Sequence, residues 1–292
     1  MMNLSVEEIR TMFGRGDAER DKGLKTPENI KRYDNIPYGD NGKFNLLDVY
    51  HVNGIKDAQP TIISIHGGAW VYGMKEVYQY YCMSLAQKGF TVVNFSYRLA
   101  PEDKFPCALE DVNNAFLWVK NNYKKYNIDL NNIFVVGDSC GAQIASQYLA
   151  MLTNSDFAKL FDFKLPDIKV QAVALNCGIY NVKPYVENSK DPMVEAYIGD
   201  KKQEMLPLLD TMKYVNKDFP SSYIMTAYYD FLKENAKPMY DYLTSLGIDC
   251  EYKMYGNESR QDIAHVFHCN VKMKEAQQCN EDECNFFKKF IK

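Results

Sequence analysis

The chain has no run of about 18 consecutive apolar residues, so no segment reads as a membrane span. Its first 23 residues, MMNLSVEEIRTMFGRGDAERDKG, are charged throughout and lack the apolar core of an export signal. A cytoplasmic protein with no membrane partner is the expectation. Lysine and arginine are never massed, and the formal net charge is −4, which excludes the basic footprint of a nucleic-acid binder. Paired C-x2-C knuckles are also missing. The eight cysteines, at 82, 107, 140, 177, 250, 269, 279 and 284, are scattered, which predicts free thiols rather than a disulfide framework. His265, His268, Cys269, Cys279 and Cys284 do gather near the C-terminus. Their spacing, H-x2-H-C-x9-C-x4-C, is not that of a structural zinc site, and no metal is expected. Repeats, low-complexity tracts and Pro/Gly linkers are absent too, so residues 1–292 read as a single domain.

With 46% apolar residues and 14% aromatics, the chain can pack a substantial core. Apolar, β-branched runs recur at 44–52, 61–66, 91–97, 132–137, 170–176, 221–229 and 250–255, and most are apolar on both faces, as strands covered on two sides must be. Helical patterns lie between them at 77–89, 107–126 and 233–247, with glycine closing the first and third. Alternation of this kind predicts an α/β fold with a mainly parallel sheet, whose function sits at the carboxyl ends of the strands.

One such end reads NIFVVGDSCGA. Glycines at 137 and 141 flank Ser139 in a G-x-S-x-G pattern between a strand and a helical segment, the setting of a nucleophile elbow. The pattern alone arises by chance in about one chain of this length in ten, so context decides. That context is IHGGAWVYG at 65–73, which follows an earlier strand where an acyl-transfer enzyme of this architecture needs backbone N–H groups to hold an oxyanion. A general base must follow the last strand. Of only four histidines, His51 belongs to an early strand and His66 to the glycine loop, which leaves His265 or His268. Asp230, ending the run SSYIMTAYY, is placed to serve as the acid.

HGGAW (66–70), YRLAPEDKFPCALEDV (97–112), GDSCGA, YYDFL (228–232) and HVF (265–267) resemble, in order and spacing, the hormone-sensitive-lipase-like, bacterial-type α/β-hydrolase carboxylesterases and acetyl esterases. The likeness runs from about residue 45 to 270. It implies an α/β-hydrolase fold: a mainly parallel eight-stranded sheet flanked by helices, with residues 1–43 and about 181–220 forming a helical cap. It favours His265 over His268 as base, beside Ser139 and Asp230, and leaves His268 at the surface or behind the site. Its oxyanion hole lies in the loop of Gly67, Gly68 and Ala69, with donors on Gly68, Ala69 and Cys140. Alanine at 69 and cysteine at 140 depart from the usual glycine and alanine, and the thiol at 140 raises an expectation of sensitivity to alkylation.

The reaction these residues imply is hydrolysis of a small-molecule ester through an acyl-enzyme, with no cofactor. Trp70, Tyr72, Tyr180, Tyr197 and Phe231 are candidates to line the pocket. The polar cap segments lack the broad apolar face of a lipase, so acetyl to butyryl esters are expected, with acetylated sugars one candidate class. An amidase or formamidase on the same residues, or a non-catalytic receptor on the same fold, are the alternatives. Arg98, Glu102 and Asp111 read as groups that tie loops together. Oligomeric state is not legible.

Overall fold

The computed structural model describes residues 4–292. Eight strands form one sheet: β1 (Ile30–Pro37), β2 (Leu46–Val52), β3 (Gln59–Ile65), β4 (Thr91–Phe95), β5 (Ile128–Asp138), β6 (Val170–Asn176), β7 (Ser221–Ala227) and β8 (Cys250–Tyr255). Their spatial order is β1-β2-β4-β3-β5-β6-β7-β8. The first two pairings are antiparallel and the rest parallel, with Ile63 opposite both Val93 and Val135 at the centre.

Because side chains alternate across a strand, the central strands feed two cores. Val49, Ile63, Val93 and Val135 pack under helices α3 (Cys107–Asn122), α4 (Cys140–Thr153) and α7 (Ala236–Ser245). Tyr50, Ile62, Val92 and Phe134 face the other way, against α2 (Lys75–Ala86) and the C-terminal α8 (Lys274–Lys288). Being covered on both sides is why these strands read as continuous apolar runs.

Residues 181–220 contain α5 (Val182–Asn188), α6 (Pro192–Ile198) and shorter helical turns at 199–205 and 211–214. Each lays an apolar stripe inward, through Val182 and Val186, then Val194 and Ile198. Residues 1–43 divide differently from expectation. Among the described residues α1 (Val6–Asp21), started by a capping box of Ser5 and Glu8, is the segment's one α-helix, and a short 3-10 turn begins at Gly42. Residues 30–37 are not cap but the edge strand β1, where IKRYDNIP buries little and keeps its polar groups in water. An edge strand with so little burial carries no apolar signature.

Candidate active site

β5 ends at Asp138 and α4 begins at Cys140, so Ser139 makes the turn between them. It does so at φ 53°, ψ −121°, a backbone conformation costing about 1–3 kcal/mol for a residue with a side chain. The turn closes because its flanks are glycine. A Cβ on Gly137 would lie 2.6 Å from the Gly141 carbonyl oxygen, and one on Gly141 would lie 2.3 Å from that of Ile65. The Ser139 N–H donates to the Asn176 carbonyl at 2.9 Å, which ties the elbow to β6.

Past the ends of β7 and β8 a further parallel bridge joins Tyr229 to Ala264 and sets Asp230 beside His265. His265 Nε2 lies 3.0 Å from Ser139 Oγ, and His265 Nδ1 lies 2.7 Å from Asp230 Oδ1. Asp230 also accepts from the Thr226 hydroxyl at 2.8 Å and the Leu232 N–H at 2.9 Å. Burial pushes this carboxyl up, but the bonds from His265, Leu232 and Thr226 outweigh it and hold the pKa below the ordinary value. An ionised acceptor at Nδ1 keeps the proton there, leaving Nε2 free to accept from Ser139.

The loop after β3 runs through positive φ at Gly68 (130°), Ala69 (51°) and Trp70 (63°). Val71 and Tyr72 both donate to the Gly68 carbonyl, at 3.1 and 2.9 Å. Among the described residues the amides of Gly68, Ala69 and Cys140 donate to no protein oxygen, and the Cys140 amide opens α4, where no intrahelical acceptor exists. Gly67 corrects the expected oxyanion set. Its N–H is taken by the Tyr78 hydroxyl at 3.0 Å and Asp138 Oδ1 at 3.2 Å, so it faces the interior. The Cys140 thiol accepts from the Trp70 N–H at 3.2 Å beneath the loop. Burial pushes its pKa up to about 12, so the expected sensitivity to alkylation does not follow.

The other two expected histidine placements separate clearly. His66 is buried, stacked on Tyr97 at 4.0 Å and bonded through Nδ1 to the Gly67 carbonyl, and burial pulls its pKa down to about 4. His268 is not at the surface but wholly buried against Tyr81, its pKa drawn down to about 3 by burial and by His265. Neither can serve as a base near Ser139.

Of the pocket candidates, Trp70 and Tyr197 are buried and stacked at 4.9 Å, with the indole N–H on Gln143, and Tyr180 is buried with its hydroxyl on the Leu175 carbonyl. Phe231 is 70% exposed and its ring lies 4.2 Å from that of His265. Tyr72 is a correction: it turns toward α1, where its hydroxyl donates to Asp17 at 2.7 Å. A cavity of about 800 Å³ opens elsewhere, between α2, α8 and the segment at 24–27, and touches none of Ser139, Asp230 and His265.

The five-residue His/Cys cluster does not assemble. Cys279 and Cys284 are buried in α8, and His265 is committed to Ser139 and Asp230. His268 and Cys269 do meet Asp138, their ligand atoms within 4.8 Å of one another. The group fits a cation poorly, because Asp138 is already bonded to Tyr78 and Gly67, and burial holds the Cys269 thiol well above its usual pKa. All eight cysteines are free.

Several side chains support the site from behind. Asp138, with its pKa raised to about 6 by burial, anchors Gly67 and Tyr78. Tyr97 donates to the His66 carbonyl at 2.7 Å. Arg98 forks onto Asp111 as expected, whereas Glu102 pairs with Arg10 of α1, a residue without any motif around it. Tyr97 lies within the YRLAPE stretch, whereas Arg10 had no signal in the sequence.

The sequence model of the BD-FAE family matches residues 47–236, well over half the chain and everything from β2 into α7. The chain belongs to the BD-FAE family. Esterase LipQ of Mycobacterium tuberculosis is 30% identical over 72% of this BD-FAE chain, which spans only 53% of LipQ's own length. Among solved structures, esterase B of Lactobacillus rhamnosis superposes with a TM-score of 0.88 over 98% of this chain and 93% of that one, at 20% identity. An esterase of Pyrobaculum calidifontis gives 0.77 at 23% identity, covering 99% and 95%. These two establish the α/β-hydrolase fold. The hormone-sensitive-lipase-like kinship read from the motifs holds, and it makes this BD-FAE chain a carboxylic ester hydrolase. Among the described residues no helix is long and apolar enough to cross a membrane.

Proposed function

We propose that the chain is a serine carboxylesterase for short acyl groups, acetyl to butyryl, acting through Ser139, His265 and Asp230. Ser139 attacks the ester carbonyl while His265 Nε2 takes its proton. His265 then returns that proton to the departing alcohol, and water resolves the acyl-enzyme by the same steps in reverse. Asp230 holds the imidazole tautomer and balances its charge when protonated. The amides of Gly68, Ala69 and Cys140 receive the oxyanion, each donor being worth about 10²–10³ in rate in comparable sites.

The observation that carries this reading is the unbroken line Ser139 Oγ to His265 Nε2 at 3.0 Å and His265 Nδ1 to Asp230 at 2.7 Å. The proposed preference for short chains is supported by the stack of two buried rings, Tyr197 on Trp70 of the glycine loop. Acetylated sugars remain a candidate for the alcohol part. Turnover of p-nitrophenyl esters from acetyl to decanoyl tests the proposal: kcat/KM should peak at four carbons or fewer and fall at least tenfold by eight. A maximum at eight carbons or beyond would overturn the chain-length claim.

A further inference from the structure

The helix α1 buries no residue completely, yet it lies against the oxyanion loop by a stripe of Arg10, Phe13, Gly14, Asp17 and Arg20, three and four residues apart. That stripe is mostly polar, so this face of the helix is held by specific bonds, while Val6 and Ile9 rest, partly buried, against the core. Phe13 meets the Tyr72 ring edge-on at 5.6 Å, Asp17 accepts from the Tyr72 hydroxyl, and Arg20 donates to the Val77 carbonyl at 2.5 Å.

Arg10 makes the densest contact. Its Nε donates to the Val71 carbonyl at 2.8 Å, one Nη2 hydrogen goes to the Ala100 carbonyl at 2.9 Å, and both Nη groups fork onto Glu102 at 2.8 and 2.6 Å. The Ala100 N–H in turn donates to the Trp70 carbonyl at 3.0 Å. A ring therefore closes from Trp70 through Ala100 and Arg10 back to Val71, immediately beyond Gly68 and Ala69 in the loop.

We propose that α1 clamps the oxyanion loop, with Arg10 as the positioning residue that keeps the Gly68 and Ala69 amides aimed at the reacting carbonyl. This inference rests on the esterase reading above. Ala69 and Trp70 sit at positive φ, where a residue with a side chain stays only if its surroundings over-determine it. From inside, Gly67 is held by Asp138, and Trp70 by Cys140 and Gln143. From outside, the Val71 and Ala100 carbonyls that Arg10 grips would otherwise face water, and the loop could relax by rotating its peptides away. A planar fork is needed, since one ammonium cannot reach both carbonyls and Glu102 with fixed directions.

The test is Arg10→Met, which keeps the side-chain stem and loses every donor, with Arg10→Lys as the conservative variant. Rates are expressed per active serine, titrated with a fluorophosphonate, so misfolded protein does not count. Arg10→Met should lower kcat by about 10- to 100-fold with KM within about twofold, and weaken a trifluoromethyl ketone, whose adduct carries an oxyanion, by the same factor. Arg10→Lys should recover part of both. A per-site kcat within twofold of wild type in Arg10→Met, or a lost rate with unchanged ketone affinity, would overturn the clamp. Ser139→Ala in the same assay separates the two claims: persistent hydrolysis there defeats the esterase reading, whereas an inactive Ser139→Ala beside a normal Arg10→Met defeats only the clamp.

Discussion

Glu283 is completely buried, and among the described residues no cation is bonded to it. It accepts from Asn176 Nδ2 at 2.6 Å and the Tyr81 hydroxyl at 2.8 Å, and Asn176 in turn holds the Ser139 N–H through its carbonyl. Burial raises its pKa from 4.5 to about 7. A carboxyl raised on folding binds its proton more tightly in the native state, so its contribution to stability is full below about pH 4.5 and is lost as pH rises through about 7. Glu283→Gln cannot ionise, so its stability relative to wild type should climb between pH 5 and pH 8 in urea melts. Parallel curves over that range would show that the group is not protonated in the folded state. Nothing in the sequence marked Glu283, because a charged residue in NEDECNFFKKF reads as an outward helix position until the packing of α8 against β6 is known. Ser139 was the opposite case, since the steric demand of the turn is written in Gly137 and Gly141.

The elements that could be read in advance are those whose burial is written in their own residues. β3, β5 and β6 are apolar on both faces because helices cover both, and their bounds fall close to the runs at 61–66, 132–137 and 170–176. β1 escaped because it is held by edge pairing, and α1 was expected only as part of a helical cap, its polar contacts at long sequence separation, such as Arg10 to Glu102, being unmarked. The segment at 181–220 was legible as helical but not in its consequence, the seating of Tyr197 from α6 on Trp70. If that stack limits the acyl chain, Tyr197→Ala should raise the ratio of octanoate to butyrate turnover by about tenfold or more. Removing so buried a ring also costs about 3–5 kcal/mol of stability, but a ratio of two substrates is unaffected by the fraction folded. An unchanged ratio would mean the limit lies elsewhere.

At the scale of the whole molecule, three strand ends and one loop converge. Ser139 follows β5, Asp230 follows β7, His265 follows β8, and the loop of Gly68 and Ala69 follows β3, so the parallel part of the sheet collects every group at one edge. The chain order nucleophile, acid, histidine singled out Asp230 and His265, which lie within hydrogen-bond reach of each other and of Ser139, whereas the tilt of Gly67 inward and of Tyr72 toward α1 depends on side-chain packing that no spacing encodes. The central claim is that Ser139 is a nucleophile activated by this arrangement. The most direct measurement is the mass of the protein and of its peptide spanning residue 139 after treatment with a fluorophosphonate, alongside residual ester hydrolysis. We expect one adduct per chain, on Ser139, with hydrolysis lost in proportion to labelling and no adduct on Ser139→Ala. Full hydrolysis by a chain labelled at Ser139, or an inactivating label on another residue, would contradict it.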